Sequence, residues 1–69
     1  MTREHALQMR LRIYLRREAY VWLSRRGTRR VNFGWIISLR KGRSVLFKDD
    51  EERCATPIPV KEIESCGVV

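Results

Sequence analysis

The stretch from Val31 to Phe47 constrains the fold most, because the apolar residues from Val31 to Leu39 recur at every second position. A period of two is typical of a β-strand that buries one face. Gly42 then allows the positive φ of a tight turn, and Ser44 to Lys48 fits a second strand, so the stretch predicts a long β-hairpin. The predicted buried face consists of Val31, Phe33, Trp35, Ile37 and Leu39.

The N-terminal part of the chain fits two patterns. Thr2 can cap a short helix that runs at most to Gln8, and the apolar residues from Leu7 to Leu15 alternate with others, which predicts a first strand. Arginine is a good helix former, however, and several apolar residues could share one helical stripe. The alternative is therefore a single helix over residues 3–25, with a stripe made of Leu7, Leu11, Tyr14, Leu15 and Trp22.

The rest of the chain supplies further short strands. Ala19 to Ser24 alternates as a second strand, and two prolines confine Thr56 to Val60 to an extended or edge position. Lys61 to Ser65 can form one helical turn before a last strand at Cys66 to Val69. One domain over residues 1–69 is predicted, an all-β fold of the small SH3-like or Sm-like barrel type with about five or six strands, with room for a short N-terminal helix.

The charge of the chain is large and unevenly distributed. The 69 residues carry a net charge of +7, and 12 of the 15 cations are arginines. Residues 1–48 contain 13 cations and two acids, a net charge of +11, whereas residues 49–69 have a net charge of −4. Such a field attracts polyanions, so we expect nucleic acid first and an acidic protein or an anionic membrane surface second. The alternative is a solubilising surface without a partner.

Three segments resemble strands of the Sm-like family. Leu11 to Leu15 resembles its first strand, Gly34 to Ser38 its glycine-x-isoleucine-x-serine second strand, and Ser44 to Asp49 its third. Arg40 stands where that family usually carries an aspartate, and residues 16–30 exceed its spacing between the first two strands. The resemblance implies a ring-forming barrel that binds RNA, and it favours RNA over DNA as the partner. It assigns no individual base-binding residue.

Arginines form two candidate groups for nucleic-acid binding. In the predicted first strand, alternate arginines project the same way about 7 Å apart, near a nucleic-acid backbone repeat, and a tyrosine between them can stack on a base. The second group lies in two turns, and mutual repulsion would call for an anion if both turns met at one end. The alternative for each group is a solvated surface. The candidate residues are Arg10, Arg12, Tyr14 and Arg16 in the first group, and Arg25, Arg26, Arg29, Arg30, Arg40, Lys41 and Arg43 in the second.

The aromatic residues divide by register. Phe33 and Trp35 follow the apolar face of the hairpin and are predicted to lie in the core. Tyr20 and Trp22 lie on the opposite register from their apolar neighbours and suit either base stacking or a subunit interface. We favour an interface in a homo-oligomer, because two further apolar residues lie on the polar register of the hairpin. The candidate interface residues are Tyr20, Trp22, Ile36 and Leu46.

Patterns for catalysis or metal binding are missing from the sequence. His5 has no partner by spacing, Cys54 and Cys66 are twelve residues apart without a second pair, and the acidic run at residues 49–52 lacks the glycine of a calcium loop. We therefore expect no enzyme activity, no cofactor and no metal. The lack of a signal peptide or a membrane span leads us to expect a cytoplasmic protein with two thiols.

The sequence thus predicts a non-enzymatic, basic protein that binds nucleic acid, with RNA favoured. The alternative is a protein-interaction module or an oligomeric scaffold. In that alternative, the edge near Ile58 to Val60 accepts a strand from a partner, or the acidic tail meets a basic one.

Overall fold

The structure, a computed structural model, describes residues 2–40 and 43–69. One helix, α1 at Arg3–Arg17, precedes a sheet of five strands. The strands are β1 at Val21–Arg25, β2 at Val31–Arg40, β3 at Ser44–Asp49, β4 at Thr56–Pro59 and β5 at Ile63–Val68, and a three-residue 3-10 turn at Val60–Glu62 joins β4 to β5.

Helix α1 has a defined start and a defined end. The Thr2 hydroxyl accepts a hydrogen bond from the His5 backbone N–H at 3.1 Å, which caps the N-terminus. Glu4 lies in the first turn, where the helix dipole stabilises a carboxylate. The helix ends at Arg17 because Glu18 adopts a left-handed conformation with φ of 50°.

The strand predicted from Leu7 to Leu15 is wrong, and the alternative of a helix is confirmed only as far as Arg17. A strand would place Leu7, Leu11 and Ile13 on one face, but the structure buries the two leucines and leaves Ile13 48% exposed. Residues one helical turn apart share a face, so the leucines pack together on the sheet. The many arginines and leucines of this segment favour the helix intrinsically.

All five strands pair antiparallel in one sheet of order β4-β3-β2-β1-β5. The predicted β-rich fold of short strands, with β2 and β3 as its central hairpin, is confirmed. The predicted barrel is corrected, because across residues 2–40 and 43–69 no ladder joins the edge strands β4 and β5 and the sheet stays open. The predicted helical turn lies one residue earlier, at Val60–Glu62, so β5 begins at Ile63.

The core lies between α1 and the inner face of the sheet. Helix α1 contributes Leu7 and Leu11, and every strand contributes at least one buried apolar side chain. Among the described residues no polar or charged residue is buried, so burial of apolar surface holds the domain together. The sheet and its final turn contribute Val21, Leu23, Ile36, Val45, Phe47, Ile58, Val60, Ile63 and Cys66.

The face that β2 buries is the opposite of the predicted one. Phe33 and Trp35, predicted for the core, are 41% and 38% exposed, whereas Ile36, predicted for an interface, is 4% exposed in the core. The reason lies in the neighbouring strands. Ile36 is paired with Phe47 of β3, and Gly34 with Val21 of β1, so the buried residues of the neighbours fix the inner face of β2.

A β-bulge between Ile36 and Ser38 restores part of the prediction. Ile37 is the extra residue and is exposed, and after it Leu39 pairs with Val45 and packs against the core. A bulge changes which residues face inward, because it inserts one residue into a ladder of period two. Leu39 is therefore the one member of the predicted buried face, Val31 to Leu39 in alternation, that reaches the core.

The free edge of β4 cannot accept a strand in the way that the sequence suggested. The N–H of Val60 donates to the carbonyl of Arg43 at 2.9 Å, and residues alternate in an antiparallel ladder, so Ile58 and Thr56 also turn their backbone groups towards β3. Pro57 and Pro59 occupy the outward positions and have no N–H to donate. The edge proposed for strand capture is therefore blocked.

Candidate nucleic-acid interface

Nearly all cations of the described chain lie on the surface without a carboxylate partner. The salt bridge between the Arg25 guanidinium and the Glu62 carboxylate, at 2.8 Å, is the one ion pair found in residues 2–40 and 43–69. Most other arginine side chains are exposed. The positive charge is thus available to an anion from outside the molecule.

The first predicted group does not form one surface. Arg10, Arg12 and Arg16 are exposed on α1, where residues two apart lie about 200° apart around the axis, so Arg10 and Arg12 point in different directions. Arg12 and Arg16 are one turn apart and share a face. Tyr14 is half-buried against the core and does not lie between the arginines as a stacking ring. The strand geometry expected for this group is therefore wrong.

The turn between β1 and β2 contains Arg26, Arg29 and Arg30, all exposed. Gly27 has φ of 80°, a conformation that glycine adopts without strain, and this shapes the turn. The backbone N–H of Arg26 donates to the carbonyl of Glu62 at 2.7 Å. This hydrogen bond attaches the turn to the 3-10 turn, and the ion pair of Arg25 with Glu62 reinforces the attachment.

The turn between β2 and β3 meets the same 3-10 turn from its other side. Arg40 and Arg43 are exposed, and the carbonyl of Arg43 accepts the hydrogen bond from Val60. Lys41, the third predicted cation, lies outside the described residues. Because Val60 and Glu62 belong to one three-residue turn, the two arginine-rich turns lie on either side of it. The sequence alone allowed this meeting of the two turns but did not require it.

A groove runs along the 3-10 turn between the two arginine-rich turns and the first turn of α1. One part, about 630 Å³, is lined by residues that include Arg43 and Lys61. An adjoining part, about 210 Å³, is lined by residues that include Arg3, Arg26 and Lys61. We call these four cations and the space between them the basic groove. Glu4 lines both parts and is the acidic residue found along them.

The prediction missed Arg3 and Lys61. Both are isolated cations in the sequence, one beside Glu4 and the other beside Glu62, so no charge run marks them. Their place in the basic groove follows from tertiary structure. The start of α1 packs near the 3-10 turn, and the 3-10 turn itself carries Lys61 outward as an exposed residue.

Three aromatic side chains gather on the outer face of the sheet. The rings of Tyr20 and Trp35 have centroids 5.0 Å apart, and the rings of Tyr20 and Phe33 lie stacked at 6.3 Å. We call these three residues the aromatic patch. Trp22 is half-buried on the same face, paired with Phe33 and lying over Gly67, and Leu46 is half-buried.

The acidic turn, residues 49–52, borders the aromatic patch. The Tyr20 hydroxyl donates to the Asp50 carboxylate, and this hydrogen bond, with smaller contributions from burial and from neighbouring carboxylates, raises the pKa of Tyr20. Asp49 accepts hydrogen bonds from the Glu51 backbone N–H at 2.9 Å and from the Asn32 amide at 2.8 Å. These bonds, the first more than the second, hold the pKa of the Asp49 carboxyl below its ordinary value.

Low pH should destabilise the turn that contains Asp49. Part of this pH dependence should come from the hydrogen bond that Asn32 donates to Asp49. A carboxyl with a lowered pKa in the folded state stabilises the fold above the ordinary carboxyl pKa, and that stabilisation is lost as the pH falls through the lowered value. In Asn32→Ala we expect the pKa of Asp49 to move up towards the ordinary value and the acid dependence of unfolding to weaken. An NMR pH titration of the Asp49 carboxyl carbon measures this. An unchanged pKa in the variant would contradict the assigned cause.

The remaining candidate chemistry is sparse. Cys54 is an exposed thiol and Cys66 a buried one, and burial raises the pKa of Cys66 more strongly than the charge of Arg10 lowers it. Within the described ranges no three side chains of the His, Cys, Asp or Glu type group as metal ligands would. The same ranges contain no helix with the length and apolar character needed to cross a membrane.

Comparison of the chain with protein-family models, with curated proteins and with solved structures finds no match.

Proposed function

We propose that this protein binds single-stranded nucleic acid, with RNA favoured, through the basic groove. The observation that supports the proposal is the meeting of two arginine-rich turns at one 3-10 turn, which brings Arg26, Arg43, Arg3 and Lys61 around one groove, with Glu4 as the acidic residue among its described lining. Arginine binds phosphate with two parallel hydrogen bonds, and a groove that gathers several cations follows a phosphate backbone.

The preference for RNA rests on the proposed resemblance to the Sm-like family. The segments Gly34–Ser38 and Ser44–Asp49 lie in β2 and β3, in keeping with the resemblance. Leu11–Leu15, however, lies in α1, and the first strand is Val21–Arg25. The segment Leu11–Leu15 therefore gives the resemblance no support.

The affinity of the protein for a mixed-sequence single-stranded RNA should fall steeply with salt. If three phosphates contact the groove, affinity should fall about 100-fold between roughly 50 and 500 mM salt, since each neutralised phosphate of a single strand contributes about −0.7 to the logarithmic slope. Fluorescence anisotropy of a labelled RNA measures this, with DNA of the same sequence alongside. Affinity no better than millimolar at low salt would refute the proposal, and equal affinity for DNA would remove the RNA preference.

Removing three groove cations tests the site. We expect the triple variant Arg26→Gln, Arg43→Gln, Lys61→Gln to bind RNA about 100-fold more weakly at low salt and to have a flatter salt dependence. The matched control is Arg12→Gln, Arg16→Gln, Arg17→Gln, which removes the same charge from the other end of α1. These positions lie about 13 to 20 Å along the helix from Arg3. Equal losses in both variants would mean that net charge binds and the groove does not.

A second candidate function, an oligomeric scaffold, is favoured by the aromatic patch. Phe33, Trp35 and Val31 are each more than a third exposed on a sheet face that no described element covers. Apolar faces of this kind mark interfaces between proteins. An oligomer built on this patch would keep its mass at high salt, whereas one built on the acidic turn and the arginine-rich turns would dissociate. Light scattering at roughly 50 and 500 mM salt separates them. A monomer at both salt concentrations would exclude the oligomeric scaffold as a function.

A further inference from the structure

The two edges of the sheet differ in what they offer to another chain. The edge of β4 presents Pro57 and Pro59 outward and has no N–H at either position, as described above. Directly after β5, the N–H of Val69 donates to the carbonyl of Tyr20 at 3.1 Å. By antiparallel alternation Gly67 and Ser65 also pair with β1, and the backbone groups of Cys66 and Val68 turn outward with both N–H and C=O free of the ladder.

A cleft borders the open edge of β5 on the side of α1. It has a volume of about 230 Å³, and the residues that line it include the cations Arg3 and Arg10 and the apolar residues Ala6 and Leu7. The Arg3 guanidinium donates to the backbone carbonyl of Glu64, the first outward position of the edge. The Glu64 side chain also belongs to the lining, so two cations face one carboxylate.

We propose that the edge of β5 binds an extended, acidic peptide segment of a partner protein by strand addition. Natural sheets commonly protect both edges, and this chain protects one with prolines and leaves the other able to donate and accept. The peptide backbone pairs with Cys66 and Val68, which supplies affinity, and its alternate side chains select the sequence. Acidic side chains on the helix side meet Arg3 and Arg10 in the cleft.

The opposite side of the bound peptide contacts the outer face of the sheet. There the indole of Trp22 lies across Gly67, so close that a Cβ on that glycine would be 2.7 Å from the indole nitrogen. Apolar side chains of the peptide would lie beside this ring. The partner segment therefore alternates acidic and apolar residues, because successive side chains of a strand point to opposite faces.

Other occupants fit the edge less well. A second copy pairing β5 to β5 would bring two sets of Arg3 and Arg10 together, with repulsion between them, and a second copy offering β4 would bring an edge without N–H groups. Nucleic acid carries phosphate acceptors but has no regular backbone donors for the outward carbonyls of Cys66 and Val68. A peptide strand supplies both donors and acceptors in the spacing of the ladder.

NMR with a short, capped peptide of alternating Glu and Val tests the proposal on the full chain. We expect saturable shifts at the amides of Cys66 and Val68 and slower hydrogen exchange at both. The matching Lys–Val peptide should bind at least about tenfold more weakly, a difference of about 1.4 kcal/mol. A Glu–Val peptide methylated on alternate backbone nitrogens should not bind. Absence of binding at millimolar peptide, or equal binding of the Lys–Val peptide, would overturn the proposal.

Two pairs of variants place the peptide on the edge. Val68→Pro removes the outward N–H in the way that β4 already does, and Val68→Ala keeps it, so we expect only the proline variant to lose binding. Arg10→Glu should weaken binding about tenfold, whereas Arg12→Glu, on the other side of α1, should not. The arginine pair decides the question if the proline variant does not fold. Unchanged binding in Arg10→Glu would overturn the proposal.

Discussion

Leu11→Ala is expected to destabilise the domain by about 2–5 kcal/mol, because the side chain is fully buried and its removal leaves a cavity between α1 and the sheet. Natural domains have a total stability of about 5–15 kcal/mol, and one of 69 residues lies at the low end. Much of the variant would therefore be unfolded at physiological temperature. Urea unfolding followed by circular dichroism measures the loss of free energy.

Ile13→Ala is the matched control, because Ile13 is apolar, lies in the same helix and is 48% exposed. Its cost should stay within about 1 kcal/mol, since about half of the residue already contacts water. The pair distinguishes helix from strand directly. In a strand from Leu7 to Leu15 both residues would lie on one face, so equal losses in the two variants would contradict the helix.

Gly34→Ala is expected to destabilise the domain by about 3 kcal/mol, through overlap of backbone and not through loss of a contact. A Cβ at this position would lie 2.0 Å from the carbonyl oxygen of Lys48 and 2.9 Å from the Cα of Asp49. Neither atom is the end of a flexible side chain, so β2 and β3 would have to separate where they pair. The shift in urea midpoint and the loss of β-sheet signal measure the effect.

Gly27→Ala serves as the comparison for the glycine at β2. Its φ of 80° strains any other residue, but no atom lies within 4 Å of the added Cβ. Its cost should be about 1–2 kcal/mol, that of the left-handed conformation alone. A larger loss at Gly27 than at Gly34 would contradict the close approach of the β3 backbone to Gly34.

The strands of the central hairpin could be predicted from the sequence, but the face that it buries could not. The alternation from Val31 to Leu39 is visible within the segment, and so are the turn residues that follow it. The inner face depends on Val21 and Phe47, which pair with β2 from two other strands. Judged from this segment alone, the more apolar face of β2 was predicted to be buried, and the structure shows that most of it is exposed.

The helix shows a different limit. A period of two and a stripe of period 3.6 both fit Leu7 to Leu15, because Leu7, Leu11 and Leu15 belong to both patterns. Packing decided between them, since α1 covers an apolar sheet face that a sixth strand would leave open. The candidate site was predictable in its two arginine-rich turns. The meeting of these turns could not be predicted, because it depends on hydrogen bonds of Arg26 and Arg43 with one 3-10 turn. These bonds join residues far apart in sequence.

The prolines of β4 limit how far any assembly based on strand pairing can grow. A polymer of sheets needs two receptive ends on each molecule, one to add to and one to be added to. Because Pro57 and Pro59 protect the edge of β4, only the edge of β5 can accept a strand among the described strands. The first strand to pair with Cys66 and Val68 also ends growth there, so a concentrated solution of this protein should form no fibres.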